Sequence, residues 1–287
     1  MTPTLAEKHR HLKTLLEATG GALVAFSGGV DSALLLRVAV EALGERALAV
    51  TAVSPIHSAF EAEEATCLAQ EMGARHRLIE ADPLADEHVA GNPPDRCYHC
   101  KRALFTRLLE LARSEGLGAV VEGSNVDDRG DYRPGEKALE ELGVLSPLRE
   151  AGFTKAEVRE LSRELGLSSW SKPPYACLAT RVPYGEKLTP ERLQRVDAGE
   201  RFLRGMGLKQ VRVRDHGRIA RIEAPLAELE LLVREENRAR VVSELRRLGY
   251  DYVTVDLEGY RSGSMNVGIG PSEDNPDASE VTKPTQR

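Results

Sequence analysis

The first twenty residues place Leu5, Leu12, Leu15 and Leu16 on one face of an amphipathic helix. An apolar run over 22–26 then meets Ser-Gly-Gly-Val-Asp-Ser at 27–32, and helical spacing resumes through Leu34, Leu35, Val38 and Leu43. A strand, a tight loop and a helix are the elements this pattern predicts. Further strand-like runs fall at 48–54, 74–81 and 118–123, with helical patterns near 58–72 and 98–115 and a short apolar run, GVLSPL, from 143. Such alternation predicts an α/β fold whose parallel sheet carries helices on both faces and takes ligands at the carboxyl ends of its strands.

Regular patterning stops at SSWSKPPYACLATRVPYGEKLTP, where Pro173, Pro174, Pro183 and Pro190 punctuate the chain. Beyond it come a helix from 190, two strands around a turn in KQVRVRDHGRIARIEA, a helical region over 225–248 and the strand YDYVTVDL. This reads as a smaller α+β module, closed by the glycine- and serine-rich loop GYRSGSMN. The chain therefore divides into a first domain over 1–169, a linker over 170–189, a second domain over 190–270 and a tail over 271–287 expected to be disordered. A length of 287 residues suits two hydrophobic cores better than one. Trp170 is expected in the core.

Composition narrows the class. Hydrophobic residues at 41% and charged residues at 29% are ordinary for a globular enzyme, and a net charge of -6 makes nucleic acid an unfavoured partner. No stretch approaches the roughly 18 apolar residues of a membrane-spanning helix and the N-terminus has no signal core, so no membrane partner and a cytoplasmic protein are expected. Four cysteines, at 67, 97, 100 and 177, are too few and too unevenly spaced for a disulfide framework. Cys67 sits in a helical pattern at a position expected to pack in the core.

The loop at 27–32 carries the first chemistry. Gly28 and Gly29 allow close backbone approach, Ser27 and Ser32 add hydroxyl donors, and the N–H groups opening the next helix point at an anion. The Gly-Lys-Ser/Thr of a Walker loop is absent. SGGVDS resembles the pyrophosphate loop of the N-type ATP pyrophosphatases. That resemblance implies a Rossmann-like PP-loop domain that binds ATP, releases pyrophosphate and transfers AMP to an oxygen of the substrate, with Asp31 helping to hold Mg²⁺. The plainer alternative is a glycine turn with Asp31 as a first-turn acid complementing the helix dipole.

Cys97 and Cys100 form a Cys-x-x-Cys at a helix start, a spacing that suits one metal, a cluster or a redox disulfide. Together with SGGVDS, the stretches PPYACLATRVPYG, EGSNVDDRGDYRPG, VRVRDHGRIARIE and GYRSGSMN resemble the LarE family of ATP-dependent sulfur transferases, over about residues 5–268. The resemblance implies adenylylation of carboxylates on a pyridinium biscarboxylic acid mononucleotide and replacement of oxygen by sulfur, in synthesis of the nickel-pincer nucleotide cofactor. It also implies a homo-oligomer, a hexamer in this family, and a sulfide or other sulfur donor. Family members with one cysteine sacrifice the residue matching Cys177. Those with three hold a 4Fe-4S cluster, and Cys97, Cys100 and Cys177 match the second kind. A structural zinc site and a sacrificial Cys177 are the alternatives.

Other candidates are graded by their setting. Asp127 and Arg129 follow the strand at 118–123, where with Asp128 they could serve magnesium and phosphate, or simply build an Asx-rich turn. Arg212 and Arg214 share one strand face and, with Arg261, are candidates for the substrate phosphate; a solvated strand face is the alternative. Arg181 is placed to serve the same phosphate or the charge on an acyl adenylate. Glu200 and Glu223 are weaker candidates for a metal. The nearest rival is a tRNA thiolase of the same superfamily, which would need a basic surface that the charge balance does not supply.

Overall fold

The computed structural model describes residues 4–128, 134–173, 176–261 and 263–266. The chain separates into two compact units, one of Met1–Ala179 with Gly185–Asp197, the other of Thr180–Tyr184 with Ala198–Arg287. Cys177 thus belongs to the first unit. The tail over 271–287 lies outside the described residues.

In the first unit α1 (Leu5–Ala18) begins at Thr4, whose hydroxyl accepts the Glu7 N–H while the Glu7 carboxylate returns to the Thr4 N–H, a capping box. It buries Leu12 and Leu16. There follow β1 (Ala22–Ala25), α2 (Val30–Leu43), β2 (Ala47–Val53), α3 (Ala59–Glu71), β3 (Arg75–Glu80), the single turn α4 (Glu87–Ala90), α5 (Arg96–Ser114) and β4 (Ala119–Val121). The four strands are all parallel in the order β3-β2-β1-β4. Leu145, in the run from 143, adds one parallel bridge to Val121 at the β4 edge.

Alternating strand residues feed two cores, as the pleat requires. Ala22 and Val24 of β1 and Ala47 and Ala49 of β2 pack with Leu12, Leu34 and Leu161, whereas Leu23, Leu48 and Val50 pack with Phe105 and Leu108 of α5. Helix α2 buries nine of its residues because it lies against the sheet among other helices. Three further helices complete the unit before the proline-rich stretch: α6 (Pro134–Glu141), the single turn α7 (Pro147–Glu150) and α8 (Lys155–Glu164). Helix α8 opens with a second capping box, Thr154 with Glu157, and Glu157 also pairs with Lys8 of α1 at 2.7 Å.

Helix α9 (Pro190–Gly205) crosses the division between the units. In the second unit β5 (Arg212–His216) and β6 (Ile219–Glu223) form the expected antiparallel hairpin, α10 (Leu226–Val233) and α11 (Glu235–Arg247) follow, and β7 (Tyr252–Val255) joins β6 in parallel. Leu203, Val213, Ile222, Leu245 and Tyr250 make its core. Among the described residues no helix is long and apolar enough to cross a membrane.

Two expectations about the core are corrected. Cys67 is exposed, because α3 turns Ala65, Leu68 and Ala69 inward and position 67 falls on the opposite side. Trp170 is 42% exposed. Its ring is covered only by the Arg163 guanidinium 6.0 Å from its centroid among the ring contacts of the described residues. By contrast Phe153, immediately before the α8 cap, is fully buried. Phe153→Ala is expected to lower unfolding free energy by about 3–5 kcal/mol through the cavity it leaves, read as a shifted urea midpoint by circular dichroism.

Candidate ATP and sulfur-transfer site

Strand order reverses between β1 and β4, and the loops leaving these two strands flank the crevice where open α/β sheets bind ligands. The loop after β1 is SGGVDS. Gly28 has φ +72°, and a Cβ there would meet the Ala65 Cα at 3.1 Å, so glycine is required on both counts. Ser27 and Ser32 place their hydroxyls 3.1 Å apart, and Ser32 donates to the Gly29 carbonyl at 3.1 Å. Gly29 caps α2 without a side chain, leaving the first N–H groups of a 14-residue helix to an incoming anion.

Asp31 stands in that first turn. Its Oδ1 accepts from Asn125 Nδ2 at 3.1 Å, and its Oδ2 is ion-paired with Lys155. The loop after β4 approaches so closely that a Cβ on Gly123 would lie 3.0 Å from the Ser32 nitrogen. Asn125, buried, also accepts the Asp127 N–H at 3.0 Å and donates its own N–H to Asp128 at 2.8 Å. Asp127 in turn accepts the Lys155 N–H at 2.8 Å. The carboxylates of Asp127 and Asp128 each accept a backbone N–H that shapes this loop. Arg129 lies outside the described residues.

Magnesium would find one carboxylate here, Asp31, and would complete its octahedron from phosphate and water oxygens, as Mg²⁺ commonly does. Among the described residues no three His, Cys, Asp or Glu side chains converge as a metal site.

The cysteines come from two elements of the first unit. Cys97 and Cys100 lie in the first turns of α5, half-buried. The segment before Cys177 is tied to the ATP loop by Lys172, whose Nζ is 3.4 Å from the Gly28 oxygen and 3.2 Å from Glu64. The residue after it, Leu178, donates to the Ile56 carbonyl beyond the end of β2 at 2.8 Å. Burial, reinforced by the charges of Cys177 and Cys97, pushes the Cys100 thiol up to about 12. Cys97 and Cys177 thus both lie near enough to Cys100 for their charges to oppose its ionisation. Such a soft donor set fits an iron–sulfur cluster, whose positive irons reverse that opposition. A single zinc ion would need the sulfurs converged on one point.

The second unit gathers charge differently. Arg181 grips Glu200 with two hydrogen bonds, Nε to Oε1 at 2.8 Å and Nη2 to Oε2 at 3.0 Å, and both residues are buried. Glu200 also accepts the Val213 N–H at 3.1 Å. Arg214 reaches Glu223 at 2.6 Å, Ser264 at 2.8 Å and the Thr180 carbonyl at 3.1 Å. Arg221 joins Glu223 at 3.1 Å, and Arg212 lies over the Tyr260 ring at 5.3 Å. The oxygens of Glu200 and Glu223 are thus engaged by guanidinium groups. Burial, then the like charge of Arg181, lowers the proton affinity of Arg212 against the pull of Glu200. Glu200 faces Arg181 and Arg204, and Glu223 faces Arg214 and Arg221. Arg261 stands apart, 48% exposed and paired with Glu258.

Asn125, Lys155, Lys172 and Arg221 were not singled out from sequence. The signal for Lys155 was legible as Thr-x-x-Glu, a capping box beside the apolar positions 153, 158 and 161. His57 was missed also. Burial pushes its imidazole below the usual range, and Nδ1 lies 3.0 Å from the Ser54 hydroxyl at the carboxyl end of β2.

The sequence profile of the NAD synthase family matches residues 6–92. An uncharacterized protein of Synechocystis sp. is 44% identical over 91% of this chain and 98% of its own length. The pyridinium-3,5-bisthiocarboxylic acid mononucleotide synthase of Lactiplantibacillus plantarum is 43% identical over 92% of this chain and 95% of its own. An uncharacterized protein of Methanocaldococcus jannaschii is 30% identical over 84% of this chain and 90% of its own.

Glu200 provides a test of the buried charges. Burial alone would raise its pKa, but the charge and hydrogen bonds of Arg181, with Arg212 and Arg204, hold it below the ordinary 4.5. A depressed carboxyl contributes stability that is complete above the unfolded value and lost as pH falls through the folded one. Glu200→Gln is expected to cost roughly 3–5 kcal/mol at pH 7 by leaving buried guanidinium charge. Its urea midpoint should also vary less than wild type below about pH 4.5.

Proposed function

Since the chain belongs to the LarE family of pyridinium-3,5-bisthiocarboxylic acid mononucleotide synthases, we propose that it activates the carboxylates of pyridinium-3,5-biscarboxylic acid mononucleotide with ATP and exchanges oxygen for sulfur. The observation that carries this reading is the 43% identity that runs through both units and covers 95% of the synthase. A match confined to the ATP domain would have left the substrate open.

The residues divide the work by their chemistry. The N–H groups opening α2 and the hydroxyls of Ser27 and Ser32 bind the β- and γ-phosphates, and Asp31 would hold Mg²⁺, which would offset phosphate charge. A substrate carboxylate oxygen attacks the α-phosphorus, and pyrophosphate leaves. Arg212 and Arg214 bind the mononucleotide phosphate, because guanidinium groups match it bidentately. Arg181 orders these arginines through Glu200 and meets charge on the acyl adenylate. Sulfur then gives its electron pair to the acyl carbon, the carbon–oxygen bond to AMP breaks, and the oxygen departs on AMP. The proton of a hydrosulfide donor goes to solvent.

Cys97, Cys100 and Cys177 would hold a 4Fe-4S cluster. With only three protein ligands it would supply an open iron at which sulfide can be presented as a nucleophile. Retaining its cysteine ligands, the protein turns over repeatedly with an external sulfur donor. A homo-oligomer belongs to the same reading.

Pyrophosphate release that depends on the pyridinium substrate supports this function, and release that depends on tRNA or ammonia overturns it. Cys177→Ala is expected to abolish thiocarboxylate, measured by mass spectrometry, while pyrophosphate release persists. Anaerobically purified protein should contain iron and acid-labile sulfide. Zinc without iron would sink the cluster assignment.

A further inference from the structure

The chain that leads into the Cys-x-x-Cys turns on Asn92, the one non-glycine residue with a positive φ, +55°, among the described residues. Its conformation is held from both ends. The Asn92 carbonyl accepts the Gly185 N–H at 2.9 Å, and its side-chain oxygen accepts from the Arg96 guanidinium. Both residues are buried, Asn92 fully and Arg96 to 3% exposure. A left-handed asparagine costs conformational energy and persists where its surroundings specify it. What it specifies in return is the place of a guanidinium. Arg96 opens α5 and stands four residues before Cys100, so the two side chains share one helix face, one turn apart. Side chains on a helix lean toward its N-terminus, which inclines the Cys100 sulfur toward the turn of the arginine. The charge of Arg96 accordingly works against the burial and the neighbouring sulfurs that raise the Cys100 thiol, and does so more strongly than Lys101. Burial also spares it the screening that a surface charge suffers.

We propose that Arg96, set in place by Asn92, is a fixed counter-charge for the cysteine site. It offsets the negative charge that accumulates when hydrosulfide joins a 4Fe-4S cluster held by Cys97, Cys100 and Cys177. The inference rests on the cluster reading above. Three thiolates already outweigh the positive charge of an oxidised 4Fe-4S core, and hydrosulfide brings one negative charge more. Nothing is oxidised or reduced in that step: a sulfur lone pair forms the bond to iron, and the proton stays on sulfur. A permanent cation nearby favours every state of greater negative charge. It therefore strengthens hydrosulfide binding and raises the reduction potential together.

The test uses anaerobically purified full-length protein matched for iron and acid-labile sulfide. Sodium sulfide is titrated against the visible absorption of the cluster, and the midpoint potential is read by redox titration of the same samples. Arg96→Gln should bind hydrosulfide about tenfold more weakly. Its cluster should also be about tenfold harder to reduce, a potential lower by about 59 mV for one electron. Arg96→Lys, which keeps the charge, should match wild type in both. Asn92→Gly keeps the left-handed backbone but loses the amide, and should shift both readings the same way by a smaller amount. Wild-type affinity and potential in Arg96→Gln overturn the proposal. So does a shift in Arg96→Lys as large as that in Arg96→Gln, the mark of packing rather than charge. Should Arg96→Gln not retain iron, Arg96→Lys decides alone: wild-type readings support the counter-charge, and a loss of about tenfold overturns it. Wild type without iron would instead overturn the cluster reading, which the iron assay reports before any titration.

Discussion

Three stretches of chain meet at the side chain and backbone of Asn125. It donates to Asp31 from the loop after β1, accepts from Asp127 and donates to Asp128 within the loop after β4, and through Asp127 is linked to the start of α8. Being 2% exposed, it has little access to water in place of any of these partners. The sheet creates the crevice where strand order reverses between β1 and β4, but topology only brings the loops near each other. The amide fixes them in register. It does so as both donor and acceptor, which no carboxylate could do while ionised.

Two opposite solutions to crowded charge appear in the two units. In the second, Arg181 and Arg214 are buried with Glu200 and Glu223, so each of these two guanidinium groups already holds a carboxylate partner. An ion pair out of water costs desolvation that only good geometry and extra hydrogen bonds offset, and the two-point grip of Arg181 on Glu200 supplies both. In the ATP site the charges stay partly exposed. Asp31 and Lys155 keep contact with solvent, so their pair is screened more than the buried ones.

Strand and helix periodicity made most of the fold legible, because the first sheet is buried on both faces and its runs are long in Val, Leu and Ala. The loop chemistry at 27–32 was legible for a related reason: glycines at close approach leave no substitute. What escaped were groups whose role depends on distant chain. Lys155 and Lys172 look like surface lysines until α8 and the proline-rich segment fold back on the pyrophosphate loop. Cys67 was misplaced because a weakly amphipathic helix gives little angular information, and one position of error turns a residue from core to solvent. Trp170, expected in the core, sits in a short turn and is 42% exposed.

The cysteine site shows how environment discriminates between chemistries that share the same residues. A sulfur that is to be given away must be a thiolate while unbound, which calls for nearby positive charge. Around Cys100 burial and two neighbouring sulfurs act in the opposite direction, and Arg96 and Lys101 are too weak to reverse them. Cys100 is thereby a poor nucleophile on its own, and its two neighbouring sulfurs add to the cost of its thiolate. The three become compatible when they share a cationic centre that each can neutralise in part, for then the proximity that hindered ionisation strengthens binding. The chain around Cys177 is tied down independently of any bound group, Leu178 to the Ile56 carbonyl and Lys172 to the Gly28 carbonyl.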